Sequence, residues 1–71
     1  MTRVYFKKTG FETFHKAFVF KKELRTKFNI YCKQIEKNEN GTYEINVTSV
    51  KENSQNLLRN YGFEEIKAEA I

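Results

Sequence analysis

The sequence predicts an α+β domain with the element order β-α-β-β-α-β. Three observations predict it. Short alternating apolar runs flank an Asn40-Gly41 pair, the strongest short-range hairpin signal. Two stretches with apolar residues at helical spacing each follow a capping-box pattern, Thr9-Gly10-Phe11-Glu12 and Ser49-Val50-Lys51-Glu52. Gly62 then punctuates the chain before a last alternating segment.

Residues 3–7 alternate, with Val4 and Phe6 on one side and Arg3, Tyr5 and Lys7 on the other, as in a half-buried strand. Residues 10–28 are expected to form the first helix. Its apolar face holds Phe14, Ala17, Phe18, Leu24 and Phe28, with Phe11 and Phe20 at the margins. Lys21 falls within that arc and must snorkel to water. Ile30 to Glu36 reads as the second strand, with Ile30 and Cys32 opposed to Tyr31, Lys33 and Ile35. Thr42 to Val47 reads as the third, with Tyr43, Ile45 and Val47 on one face.

The second helix carries Val50, Ser54, Leu57, Leu58 and Tyr61 at helical spacing. Gly62 is expected to sit at C′, with Phe63 folding back on Leu58 in a Schellman motif. Residues 63–71 alternate as Ile66, Ala68 and Ala70, which favours a strand; Phe63, Ile66 and Ala70 also suit a helical turn. The simplest closed solution is the ferredoxin-like sandwich, with two helices on one face of a four-stranded antiparallel sheet. A helical C-terminus would instead leave a three-stranded sheet.

Length and composition exclude more than they specify. The 71 residues are expected to make one small α+β domain, 1–71, which buries roughly 60% of the surface its unfolded chain exposes. One Cys excludes a disulfide scaffold or a Cys-rich zinc module. No apolar run has the length of a membrane span, and the charged N-terminus lacks a signal-peptide core, so a cytoplasmic location without membrane association is expected. Cys32, the only thiol, has the strand parity of Ile30 and reads as a small buried hydrophobe. His15, the only imidazole, lies on the polar side of the first helix. All nine acids are Glu, and their densest cluster, Glu64, Glu65 and Glu69, alternates across a strand and does not converge. The expectation is therefore a non-enzyme with no cofactor and no metal.

Charge is unevenly distributed. Residues 1–33 hold nine cations and two Glu, a net of +7; residues 34–71 hold four and seven, a net of −3; the sum is +4. Two surfaces draw on the basic half. The first is the solvent side of the first helix, Lys16, Lys22, Arg25 and Lys27 with Val19 exposed among them, which suits an acidic patch on a protein partner. The second is the open sheet face, Arg3, Tyr5, Lys7, Tyr31, Lys33, Ile35 and Lys67, where cations interleave with rings as a single-stranded nucleic acid would require. In element order and in this face the chain resembles the RNA-recognition motif. Its third strand, Thr42-Tyr43-Glu44-Ile45-Asn46-Val47, lacks that family's Lys/Arg-Gly-aromatic run, so no residue role carries over.

The expectation is a binding protein that acts by occupying a macromolecular partner, with RNA or other single-stranded nucleic acid as the alternative. The bias toward Lys, Asn, Ile, Phe and Tyr fits an A/T-rich genome, and with the small size it points to a phage or mobile-element inhibitor of a protein complex. The last strand also offers an edge through which a homodimer would form.

Overall fold

Residues 1–71 are described by a computed structural model with six elements. These are β1 (Thr2–Phe11), α1 (Phe14–Phe28), β2 (Glu36–Lys37), β3 (Tyr43–Ser49), α2 (Glu52–Asn60) and β4 (Glu64–Ala70). The strands form one antiparallel sheet in the order β2-β3-β1-β4. Val4 and Phe6 of β1 and Ile45 and Val47 of β3 point to one side, where they meet Ala17 and Leu24 of α1 and Leu58 of α2. Both helices thus cover the same face, and the architecture is the ferredoxin-like α+β sandwich. The C-terminal segment is a strand, so the three-stranded alternative does not apply.

β1 runs farther than its alternation predicts, and this corrects the first capping box. Lys8 pairs with Ile45 and Phe11 pairs with Tyr43, so β1 carries one extra residue between them. Gly10 takes φ +89 there, a conformation that suits glycine at a β-bulge. The bulge reverses the parity of the strand. Phe11, which strict alternation sends to the open face, lies with Ile45 on the helix side and meets Phe20 with ring centroids 5.4 Å apart. Thr9 is therefore part of a strand and cannot cap. Thr13 caps instead: it is extended, and its Oγ1 accepts from the Lys16 N–H at 3.2 Å. The helix begins at Phe14, not at residue 10.

The buried face of α1 is also rotated from the one expected. Ala17 and Leu24 are buried and Phe20 packs on the core, whereas Phe14, Phe18 and Phe28 are exposed. The cause lies at one end of the sandwich. Phe11, brought inward by the bulge, and Phe63, brought inward after α2, converge on the Phe20 ring, with Phe63 5.9 Å from it. Those two ring contacts hold Phe20 against the core, and Phe14 and Phe18 are left outward.

The second strand is much shorter than the predicted 30–36. Only Glu36 and Lys37 pair regularly with β3; upstream, a single Lys33 N–H donates to the Asn46 carbonyl at 2.8 Å. Residues 30–35 are irregular, which breaks the expected alternation. Ile30, Cys32 and Ile35 all turn toward the core, and Ile35 leaves the open face. The hairpin closes as a three-residue loop, Glu39-Asn40-Gly41. Asn38 N–H donates to Thr42 O at 2.7 Å, Gly41 N–H donates to Asn38 O at 3.0 Å, and Gly41 has φ +87. That pattern fits a type I turn with a following glycine bulge, with Gly41 filling the left-handed position.

The second capping box does not form, because Ser49 is the last residue of β3; the N-cap of α2 is Lys51, without a side-chain cap bond. Gln55 on this helix is buried, and its Nε2 donates to Thr2 O at 2.8 Å and Ser49 O at 3.0 Å, fastening α2 to the ends of β1 and β3. Within the second helical pattern, Leu58 is buried and Leu57 packs on the core, while Val50 and Tyr61 are exposed. The C-terminal exit is the Schellman motif. Phe63 N–H reaches Leu58 O and Gly62 N–H reaches Arg59 O, with Gly62 at φ +86.

Candidate functional site

Residues around the exposed side of α1 line a groove with apolar walls. Its volume is about 370 Å³. Phe18, Ile30, Tyr31 and Cys32 form its walls, and Lys21, Lys22 and Arg25 line it with them. No carboxylate lines it. The irregular path of residues 30–35 builds this site. It takes Tyr31 off the sheet, leaves the ring 64% exposed, and brings it beneath Arg25, whose guanidinium carbon lies 5.0 Å from the ring centroid. Next to the groove, Phe14 stacks on Phe18 at 6.3 Å and meets Tyr43 edge-on at 5.9 Å. The exposed Phe14 ring thus extends the groove into an aromatic patch.

The five helix residues expected to contact a partner do not share one surface. Lys22 and Arg25 border the groove. Lys16 and Lys27 are turned roughly 120° or more around the helix from Lys22, given about 100° per residue. Lys16 is also engaged by Glu12 at 3.2 Å. Val19 is exposed between the two sets. Sequence reading overlooked Phe14, Phe18 and Lys21 as surface-lining residues because it placed them on the buried arc. The signal against that placement was present: a lysine inside an apolar arc marks an arc that is not wholly core.

On the opposite side of the molecule, the open sheet face brings together only part of the expected set. Tyr5 has the Lys67 ammonium 4.7 Å and the Lys33 ammonium 5.8 Å from its ring centroid. Arg3 and Lys7 share the face by alternation. Tyr31 and Ile35 are absent from it, for the reasons above. Acids neutralise the rest. Glu69 lies opposite Arg3, Glu64 opposite Lys7, and Glu36 opposite Glu44, with Asn46 Nδ2 donating to Glu44 at 2.8 Å. Four cations therefore face four carboxylates. The nearby Tyr5 hydroxyl holds the Glu69 carboxyl below the ordinary value, with Lys67 and Arg3 adding attraction. A bulge in β4 opposite Tyr5 and Phe6 places the extra Ile66 beside a shallow hollow on this face.

Reactive groups do not converge. Burial pushes the Cys32 thiol up to about 11, against an opposing pull from Lys21, which disfavours the nucleophilic thiolate. His15 is exposed on the first turn of α1. No three His, Cys or Glu side chains come together as a metal-binding group. No helix is long and apolar enough to cross a membrane. No family model matches the chain, and no curated protein or solved structure matches it.

Proposed function

We propose that this chain is a small non-catalytic binding protein that acts by occupying an acidic patch on a protein partner through the groove side of α1. One observation carries the reading: Lys21, Lys22 and Arg25 line one groove with the exposed rings of Phe18 and Tyr31, and no carboxylate lines it. An unneutralised cluster of one sign steers and orients a partner of the other sign. Apolar surface beside it supplies burial energy that a purely solvated charge run lacks. A phage or mobile-element modulator of a host protein complex is the form this takes, supported by the residue bias toward Lys, Asn, Ile, Phe and Tyr, which fits an A/T-rich genome, and by the small size. The cytoplasm is the proposed setting.

A nucleic-acid role on the sheet face is the second reading, and the two ammonium groups beside Tyr5 favour it. Against it stand the balanced charges of that face and the loss of Tyr31 from it. A pull-down from nuclease-treated bacterial lysate compares wild type, Lys22→Glu/Arg25→Glu and Lys33→Glu/Lys67→Glu. The expected result is a stoichiometric protein partner that only the helix variant loses. Capture that vanishes on nuclease treatment, or that only the sheet variant loses, overturns the proposal in favour of nucleic acid.

A further inference from the structure

We infer, resting on the reading above, that Arg25 seated on Tyr31 is a carboxylate receptor. The groove beside it then takes a short acidic peptide segment, with an apolar side chain flanked by Glu or Asp. The Arg25 guanidinium has no hydrogen bond and no ion pair within the molecule; the ion pairs present are Lys16–Glu12 and Arg59–Glu65. The Arg25 guanidinium carbon lies over the Tyr31 ring, 5.0 Å from the centroid. A cation–π contact of this kind restrains the side chain, and its N–H groups make no bond within the molecule. A planar fork of free donors matches a carboxylate bidentately, and a restrained fork loses less entropy on binding.

The surroundings favour an acidic peptide over a nucleic acid strand. Lys21, Lys22 and Arg25 lie within about 6 Å of helix axis, at 1.5 Å rise per residue. That compactness suits neighbouring carboxylates on one segment better than a phosphate backbone, which needs cations spread along a track. The rings are also partly engaged with each other. Phe14 is stacked on Phe18 and edge-on to Tyr43, which leaves fewer free faces for bases. Phe18, Ile30 and Cys32 provide an apolar floor that suits a Leu or Phe side chain.

The test is a titration of the labelled protein, at low and moderate salt, with a twelve-residue synthetic peptide alternating Glu and Leu. Its controls are the same peptide with Gln for Glu and a single-stranded oligothymidylate. Arg25→Lys keeps the charge but loses the fork, and is expected to weaken peptide binding about tenfold. Tyr31→Ala is expected to weaken it to a similar extent, and Tyr31→Phe, which keeps the platform, by less than about twofold. Both side chains are exposed, so thermal melts of the variants should match wild type. Equal affinity for Arg25→Lys, equal affinity for the Gln peptide, or tighter binding of the oligonucleotide each overturns the receptor. No peptide binding at all, with lysate capture still lost in Lys22→Glu/Arg25→Glu, overturns the receptor and leaves the broader reading standing.

Discussion

Phe63 donates its backbone N–H to the Leu58 carbonyl at 3.0 Å, and this bond turns α2 into β4. Both side chains are buried in the same core cluster. Between them Gly62 takes φ +86, and a Cβ there would stand 2.8 Å from the Lys8 ammonium. The ammonium ends a flexible side chain and can move; the backbone conformation cannot. Gly62→Ala is therefore predicted to destabilise the fold by about 1 kcal/mol or somewhat more, through the positive φ. Chemical denaturation measures it. Rescue by a second change, Lys8→Ala, would assign the cost to crowding and refute the conformational explanation.

Thr13 and Thr9 are predicted to behave differently, though both precede a helical run. Thr13→Ala removes an N-cap acceptor and is expected to cost about 1 kcal/mol. Thr9→Ala lies in a strand and makes no cap bond, so its change should stay within about 0.5 kcal/mol. Equal losses in urea melts would mean that the helix starts where its sequence signature first suggests.

The seven phenylalanines are predicted to divide sharply. Phe6→Ala empties a fully buried site and should cost about 3–5 kcal/mol, enough to unfold much of a domain this small. Phe14→Ala and Phe18→Ala remove rings that are 53% and 46% exposed, and each should cost about 1 kcal/mol or less. Circular dichroism melts of the three variants check the division. A large loss at Phe14 or Phe18 would place α1 in the orientation its helical pattern predicts.

Cys32 gives a pH signature. Its thiol titrates at about 11 in the folded chain, above the ordinary value of 9.0. At pH above 9 the unfolded chain releases this proton first, so the unfolded state gains. The contribution of Cys32 is therefore fully present below pH 9 and lost as pH rises toward 11. Comparing wild type with Cys32→Ala over that window isolates the contribution of the thiol. A difference between the two that stays constant from pH 8 to 11 would refute the shift. Alkylation by iodoacetamide at pH 7.5 should likewise be slower in the native protein than in the denatured one.

Much of the fold was legible because it rests on local chemistry. Val4 and Phe6, and Ile45 and Val47, alternate cleanly, and strands form around them, each running farther than the alternation predicts. Gly62 and Phe63 carry a C-terminal signature that two backbone bonds satisfy. The candidate site was legible only in part. Lys22 and Arg25 could be picked out as exposed cations and Lys21 stood out inside an apolar arc, but Phe18 and Tyr31 reach the groove through features with no sequence signature of their own.

By itself, then, the sequence determined the element order, the core residues of β1 and β3 and the stop of α2. Each depends on side-chain period or on the φ preference of a single glycine, which neighbouring residues impose. Only the tertiary structure decided which way α1 faces, where Tyr31 points and which cations stand together. Those depend on the bulge at Gly10 and on the irregular run from Ile30 to Ile35. A bulge changes strand parity by one residue, and that shift moves every side chain beyond it to the other face. Phe11 consequently turns inward and, with Phe63, holds Phe20 against the core; Phe14 and Phe18 are left outside. The exposed rings next to Arg25 are the product of that competition for the core.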